Sequence, residues 1–227
     1  MTLKWLFHTY QRNLLQALYD NPMEGVYLSE LARRAGVDPG NTKRYLEKFA
    51  DWGIIRTEKQ GRTTVVFPDL GNPETLKIFE LFEIDRTRRI LEEHAAVSAG
   101  LVQAVVCLTN ANPEIRLVTL FGRDALEMDL DGRINVGVVI GSEESVPALK
   151  ALVARQLAEC GFPDSINLVV RGTREADVVW KNGGTPKADL WKTRVVLFGE
   201  SYLWRMLARH GVPVNVNEER EGMVVNV

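Results

Sequence analysis

Leu6, Tyr10, Leu14, Leu15, Leu18 and Tyr19 recur at the three- and four-residue spacing of an amphipathic helix, which Asn21-Pro22 closes. Ser29, ahead of Glu30-Leu31-Ala32-Arg33-Arg34-Ala35, predicts an N-capped second helix, and Gly36-Val37-Asp38-Pro39-Gly40 a tight turn. A third helix is expected from Asn41 to Trp52, with Tyr45, Leu46 and Phe49 inward and Gly53 as its stop. Trp52, just before the Gly-Ile-Ile turn, is expected in the core. Alternation predicts a strand over Ile54–Lys59, a turn at Gln60-Gly61-Arg62, and a second strand over Thr63–Phe67.

Asn72-Pro73-Glu74 supplies an N-cap, a proline at the first helical position and an acid in the first turn, placing a domain boundary near residue 70. Apolar residues from Leu76 to Val105 then keep a stripe running almost to Asn110, as one long helix or two end to end. Its early part carries large apolar residues beyond what one small neighbouring domain needs, which points to a symmetric dimer. Arg86, Arg88 and Arg89, interleaved with Asp85, Glu92 and Glu93, are expected on a solvated face. After Asn112-Pro113 strands alternate with helices: strands Ile115–Phe121, Ile134–Ile140 and Ile166–Val170, and helices Val146–Glu159, Thr173–Lys181 and around Asp189–Trp191. The segment Val195-Val196-Leu197-Phe198-Gly199-Glu200 follows, and residues 212–227 could form a terminal hairpin. The fold class expected is α+β, with a mixed sheet in the second half.

The order of elements in residues 1–70 is that of a winged helix-turn-helix. Leu28-Ser29-Glu30-Leu31-Ala32, Tyr45-Leu46 and the Gly53-Ile54-Ile55 turn resemble winged-helix transcription regulators of the arsenic-repressor type over about residues 5 to 70. The resemblance implies a third helix in the major groove and a wing against the flanking backbone or minor groove. It places Asn41, Thr42, Lys43 and Arg44 at the groove with Lys48 beside them, Lys59 and Arg62 at the wing tip, and Arg33 and Arg34 on the same electropositive side. Lysine and arginine reach phosphates or guanine edges, and asparagine pairs with adenine.

Leu120-Phe121-Gly122-Arg123, followed by Asp131-Gly132-Arg133-Ile134-Asn135-Val136, resembles the signature of the minimal nucleotidyltransferases, in which Leu-Phe-Gly-Ser ends one strand and Asp-x-Asp opens the next. The likeness in element order runs from about residue 86 to 209. In that family the Gly-Ser turn approaches a nucleotide phosphate and carboxylates hold divalent metals. Here the serine is Arg123, the paired aspartates are Arg133 and Asn135, and the third carboxylate position falls on Asn167. Asp124, Glu127, Asp129 and Asp131 lie between the two strands but match no ligand position. A guanidinium at Arg133 opposes Mg²⁺. The resemblance therefore implies a module with no metal, no cofactor and no catalysis. Its pocket, made of Gly122, Arg123, Arg133, Asn135 and Asn167, is a candidate for a small anionic or nucleotide effector, since arginine binds phosphate without a metal.

The 227 residues, 45% hydrophobic and 26% charged, suffice for two small domains. The net charge of −2 offers no global attraction to nucleic acid, and residues 1–70 hold ten Lys and Arg against eight Asp and Glu, so DNA contact rests on placement. The sequence lacks a secretory leader or an apolar run long enough for a membrane, so a soluble cytoplasmic protein is expected. Cys107 and Cys160 are expected as buried reduced thiols. The reading is a homodimeric regulator bound to double-stranded DNA, not an enzyme and not a membrane protein. An active nucleotidyltransferase and an antitoxin-like protein holding a helical toxin are the rival readings.

Overall fold

The computed structural model describes residues 7–20, 22–122, 125–128, 135–159, 167–182 and 188–210. The described residues form two compact units, one of Tyr10–Thr75 with Leu207–His210, the other of Leu76–Met206 with residues 7–9. Its class is α+β, as the sequence predicts.

The first unit opens with α1 (Thr9–Tyr19), whose Leu14, Leu15 and Leu18 are fully buried. Two-residue β1 (Val26–Tyr27) runs directly into α2 (Leu28–Ala35). Tyr27 is therefore the N-cap, without a side-chain bond, and Ser29 lies inside the helix: pairing of Tyr27 with Val65 fixes the extended residue that precedes the first turn. Gly36, at φ +64°, ends α2. Helix α3 (Pro39–Asp51) starts two residues earlier than expected, because Pro39 occupies the first helical position and Asp38 caps it. Gly53, at φ +69°, closes α3 as expected. Strands β2 (Ile55–Gln60) and β3 (Thr63–Pro68) form a hairpin in which Gln60 faces Thr63, leaving Gly61-Arg62 as a two-residue turn. The sheet order is β1-β3-β2. Around Leu31, Leu46, Phe49 and Val66 this is a winged-helix arrangement.

Trp52 corrects the sequence reading. It is 51% exposed, its ring tilted against Phe49 at 6.0 Å, because the C-terminal turn of α3 carries it past the core that Phe49 fills. Tyr45 is only half-buried.

Asn72 caps α4 (Pro73–Glu93), accepting from the Glu74 N–H at 2.8 Å, while its amide donates to the Gly53 carbonyl at 2.9 Å. The long apolar stripe resolves into two helices, α4 and α5 (Ala95–Ala111), broken at His94, whose φ of −120° is not helical. Strands β4 (Ile115–Phe121) and β5 (Asn135–Ile140) pair antiparallel; α6 (Val146–Glu159) then crosses to β6 (Asn167–Gly172), parallel to β5. After α7 (Thr173–Asn182) and α8 (Ala188–Thr193), β7 (Val195–Phe198) pairs antiparallel with β4 and leads into α9 (Glu200–His210). The sheet, ordered β6-β5-β4-β7, is mixed. Val118, Leu120, Val136, Val138 and Ile140 form a core with Leu101, Leu108, Val153 and Leu157, so α5 and α6 cover one face of the sheet together.

Two further expectations change. Arg86 does not belong to a solvated face: its guanidinium donates to the carbonyls of Lys192, at 2.7 Å, and Arg194. Arg88 and Arg89 do pair with Asp85 at the surface, as expected of such a face. Cys107 is exposed, because the buried side of α5 is taken by Leu101, Ala104, Val105 and Leu108. Cys160 and residues 212–227 lie outside the described residues. No described helix is long and apolar enough to cross a membrane.

Candidate nucleic-acid interface and the asparagine pair

Helix α3 is amphipathic, so burial sorts its expected contact residues. Lys43, Arg44 and Lys48 are exposed, and Lys43 only approaches Glu47, at 3.9 Å. Arg44 lies 5.4 Å from the centroid of the Tyr45 ring. Thr42 is wholly buried, its hydroxyl donating to the Asp38 carbonyl at 2.9 Å, and it therefore leaves the groove-facing set. Asn41 is half-buried and committed to the helix start: its backbone N–H donates to Asp38 Oδ1 at 3.0 Å and its amide donates to Asp38 Oδ2. These bonds hold the Asp38 carboxyl below the usual carboxylate range, the backbone bond contributing most. Asp38 is a positioning residue that the sequence reading does not single out; its signal is Asp-Pro at a helix start.

Arg33 and Arg34 are exposed but clamped. Arg33 donates to both Glu30 oxygens at 2.7 and 2.6 Å, and Arg34 to Oε1 at 2.7 Å. Hydrogen bonds from Arg33 and then Arg34 hold the Glu30 carboxyl down at about 2. Its negative charge therefore offsets part of the positive charge of α2 throughout the physiological range. On the wing, Lys59 and Arg62 are exposed beside Gly61, whose φ of +63° suits the tight turn. Arg56 is half-buried and engaged: it stacks 4.4 Å from the Phe67 ring centroid and pairs with Glu58. Of the expected contact residues, the cations left open to a partner thus lie on α3 and at the wing tip.

In the second unit, β4 ends where β5 and β6 begin, and the register sets Phe121 opposite Asn135 and Asn135 opposite Asn167. The Asn135 amide donates to the Phe121 carbonyl at 3.1 Å, and the Asn167 amide donates to Asn135 Oδ1 at 2.7 Å. Gly122, at φ +118°, donates its N–H to Thr193 Oγ1 at 3.3 Å. Gly122, Asn135 and Asn167 therefore come together, while Arg123 and Arg133, with Asp124, Asp129 and Asp131, lie outside the described residues. Glu127 is exposed. Among the described residues no group of three His, Cys, Asp or Glu side chains is placed to hold a metal.

The amides do something carboxylates cannot. A carboxylate only accepts, so two of them at these positions would repel each other and the Phe121 carbonyl unless a cation lay between. Asn135→Asp is therefore expected to destabilise the second unit by about 1–3 kcal/mol through the lost donor. Thermal melting checks this, and millimolar Mg²⁺ should give no recovery. Recovery by Mg²⁺ would show a working metal site instead.

No protein-family model matches the chain, and no curated protein matches it. Among solved structures it is similar to TrmBL2, an archaeal chromatin protein whose structure shows a novel mode of DNA binding. The identity is 16%, the TM-score 0.27, and the match covers 78% of this chain and 68% of that one. A likeness that slight bears on neither fold nor function.

Proposed function

We propose that this protein is a cytoplasmic transcriptional regulator that binds double-stranded DNA as a homodimer. The N-terminal winged helix reads the duplex, and the second unit is a nucleotidyltransferase-like module without catalytic activity. The observation that carries the reading is the exposure of Lys43, Arg44 and Lys48 along α3, with Lys59 and Arg62 at the tip of the wing. Those are the two elements with which a winged helix touches the major groove and the flanking backbone. In the same segments Thr42 is buried and the half-buried Arg56 is held against Phe67 and Glu58, so the exposed cations are those not engaged by internal packing. The Asn135–Asn167 bond supports the non-catalytic reading, since it joins directly two side chains that the resemblance assigns to metal ligands. A small anion or nucleotide held near Gly122, Arg123 and Arg133 would be an effector rather than a substrate.

A gel-shift titration on random and genomic duplexes at low and physiological salt tests the reading. Each phosphate contact contributes about 0.9 to the slope of log K against log salt, so Lys43→Ala/Arg44→Ala is expected to reduce that slope by about 2 and weaken binding more than about tenfold. Absence of salt-sensitive binding by the unaltered protein at low salt would overturn it.

A further inference from the structure

A helix covering a sheet at a protein surface ordinarily turns a charged face to water. Helix α5 does not: none of its 17 residues is Asp, Glu, Lys, Arg or His. The residues diametrically opposite its buried stripe are Ala99, Gln103, Val106 and Asn110, all outward, and Val102 and Val106 on that side are 41% and 45% exposed. Helix α6, beside it on the same face of the sheet, repeats the pattern. Its buried stripe is Leu149, Val153 and Leu157, and its outward side carries the small residues Pro147, Ala151, Ala154 and Ala158 together with Arg155, which lies as nearly opposite that stripe as Ala151 does. Of its charges, Lys150 lies to one side, while Arg155 is neutralised on that outward side by Glu159 at 3.6 Å. The exposed side of α4 differs, with Glu74, Lys77, Arg89, Glu92 and Glu93 around Leu81 and Ile84.

We infer that the outer face of α5 and α6 is the seam on which a second copy of this chain docks, forming a four-helix layer about a two-fold axis. The inference rests on the proposal that the regulator works as a pair, and moves the seam from the early part of the connector, α4, to α5 and α6. Electrostatics selects the occupant. A charged partner would lose hydration against a surface that returns no counter-charge. A second copy brings the same uncharged α5, so no like charges meet along that helix, Arg155 on α6 is already paired with Glu159, and the small side chains let helix axes approach closely. Size agrees: helices of 17 and 14 residues are about 25 and 21 Å long, and side by side present a footprint about 20 Å wide. With its side-chain relief, that patch approaches the roughly 800 Å² per partner of a stable interface.

Sedimentation equilibrium on the full chain decides the matter. The unaltered protein is expected to be dimeric at about 50 µM, and Val106→Glu/Ala151→Glu to weaken self-association at least about a hundredfold. Leu81→Glu/Ile84→Glu on α4 should leave the dimer intact. Mixing the double-Glu variant with Val106→Arg/Ala151→Arg should restore a dimer, which a misfolded variant could not do. A monomeric wild type, a dimer that survives the Glu pair, or one broken only through α4 overturns the inference. The Lys43→Ala/Arg44→Ala protein should still dimerise. A chain that dimerises through α5 and α6 yet binds no duplex upholds this seam and overturns the DNA-reading proposal.

Discussion

Arg194→Ala is expected to destabilise the second unit by about 3–5 kcal/mol, the range for removing one partner of a buried ion pair. At about 2–4 °C per kcal/mol the melting transition should fall by about 6–20 °C. Glu83 is fully buried on α4 and Arg194, just before β7, is 7% exposed. The guanidinium donates to Glu83 Oε2 through Nε at 3.1 Å and through its second terminal nitrogen at 2.6 Å, and its first terminal nitrogen donates to the Trp191 carbonyl. Its carbon stands 3.3 Å from the Trp191 ring centroid. Trp191 in turn meets Trp204 edge-on at 5.5 Å, and Trp204 meets Phe79 at 5.0 Å. Alanine would therefore remove the principal counter-charge of a buried carboxylate and the plate against which an aromatic cluster is stacked. Arg86, 3.8 Å from Glu83 Oε1, remains close enough to soften the loss. The comparison that isolates the charge is Glu83→Met/Arg194→Met, expected to recover most of the stability because both buried ions of the pair are removed and Arg86 keeps the Lys192 and Arg194 carbonyls. A double variant as unstable as the single one would mean that packing on Trp191, not charge, carries the effect.

This ion pair shows where sequence reading stops. Glu83 and Arg194 are 111 positions apart, and nothing local marks either as buried. Arg86 escapes sequence reading for the same reason: a helix of alternating charges looks solvated until the carbonyls of Lys192 and Arg194 are brought to it by the tertiary fold. Local chemistry is legible where a single segment determines it. Asn72-Pro73, Gly53 and the Gly61-Arg62 turn lie where their turn and cap preferences place them. Strand β1 is invisible to periodicity because two residues have no period, and with it the start of α2, whose first turn is set by the pairing of Tyr27 with Val65. At the candidate interface, residue type indicates the cations but cannot separate Thr42 from its neighbours, since the one buried position in Asn41–Arg44 is fixed by the phase of α3. The adjacency of Asn135 and Asn167 is legible only through an alignment of strands, and their mutual hydrogen bond is not.

Gly199→Ala is the second substitution expected to be severe, about 3–5 kcal/mol from a backbone clash and a strained dihedral together. Gly199 joins β7 to α9 at φ +86°, and its carbonyl accepts the N–H groups of Tyr202 and Leu203 that start the helix. A Cβ here would stand 2.0 Å from the Arg116 carbonyl oxygen, 2.9 Å from the Arg116 carbonyl carbon and 3.0 Å from the Leu117 Cα. All three are backbone atoms of β4, so no rotamer change relieves the contact. Either β7 separates from β4 or α9 shifts, and both loosen the sheet edge beside the Val118–Phe198 pairing. Gly61→Ala provides the contrast. Gly61 has a similar φ of +63°, but a Cβ added there would meet nothing within 4 Å, so only the dihedral penalty of about 1–2 kcal/mol applies. Hydrogen exchange distinguishes the two: Gly199→Ala should expose the amides of β7 and the first turn of α9, whereas Gly61→Ala should leave them protected. Equal melting temperatures for the two variants would mean that β4 and β7 separate at little cost, and that the close approach at Arg116 is not what holds this edge.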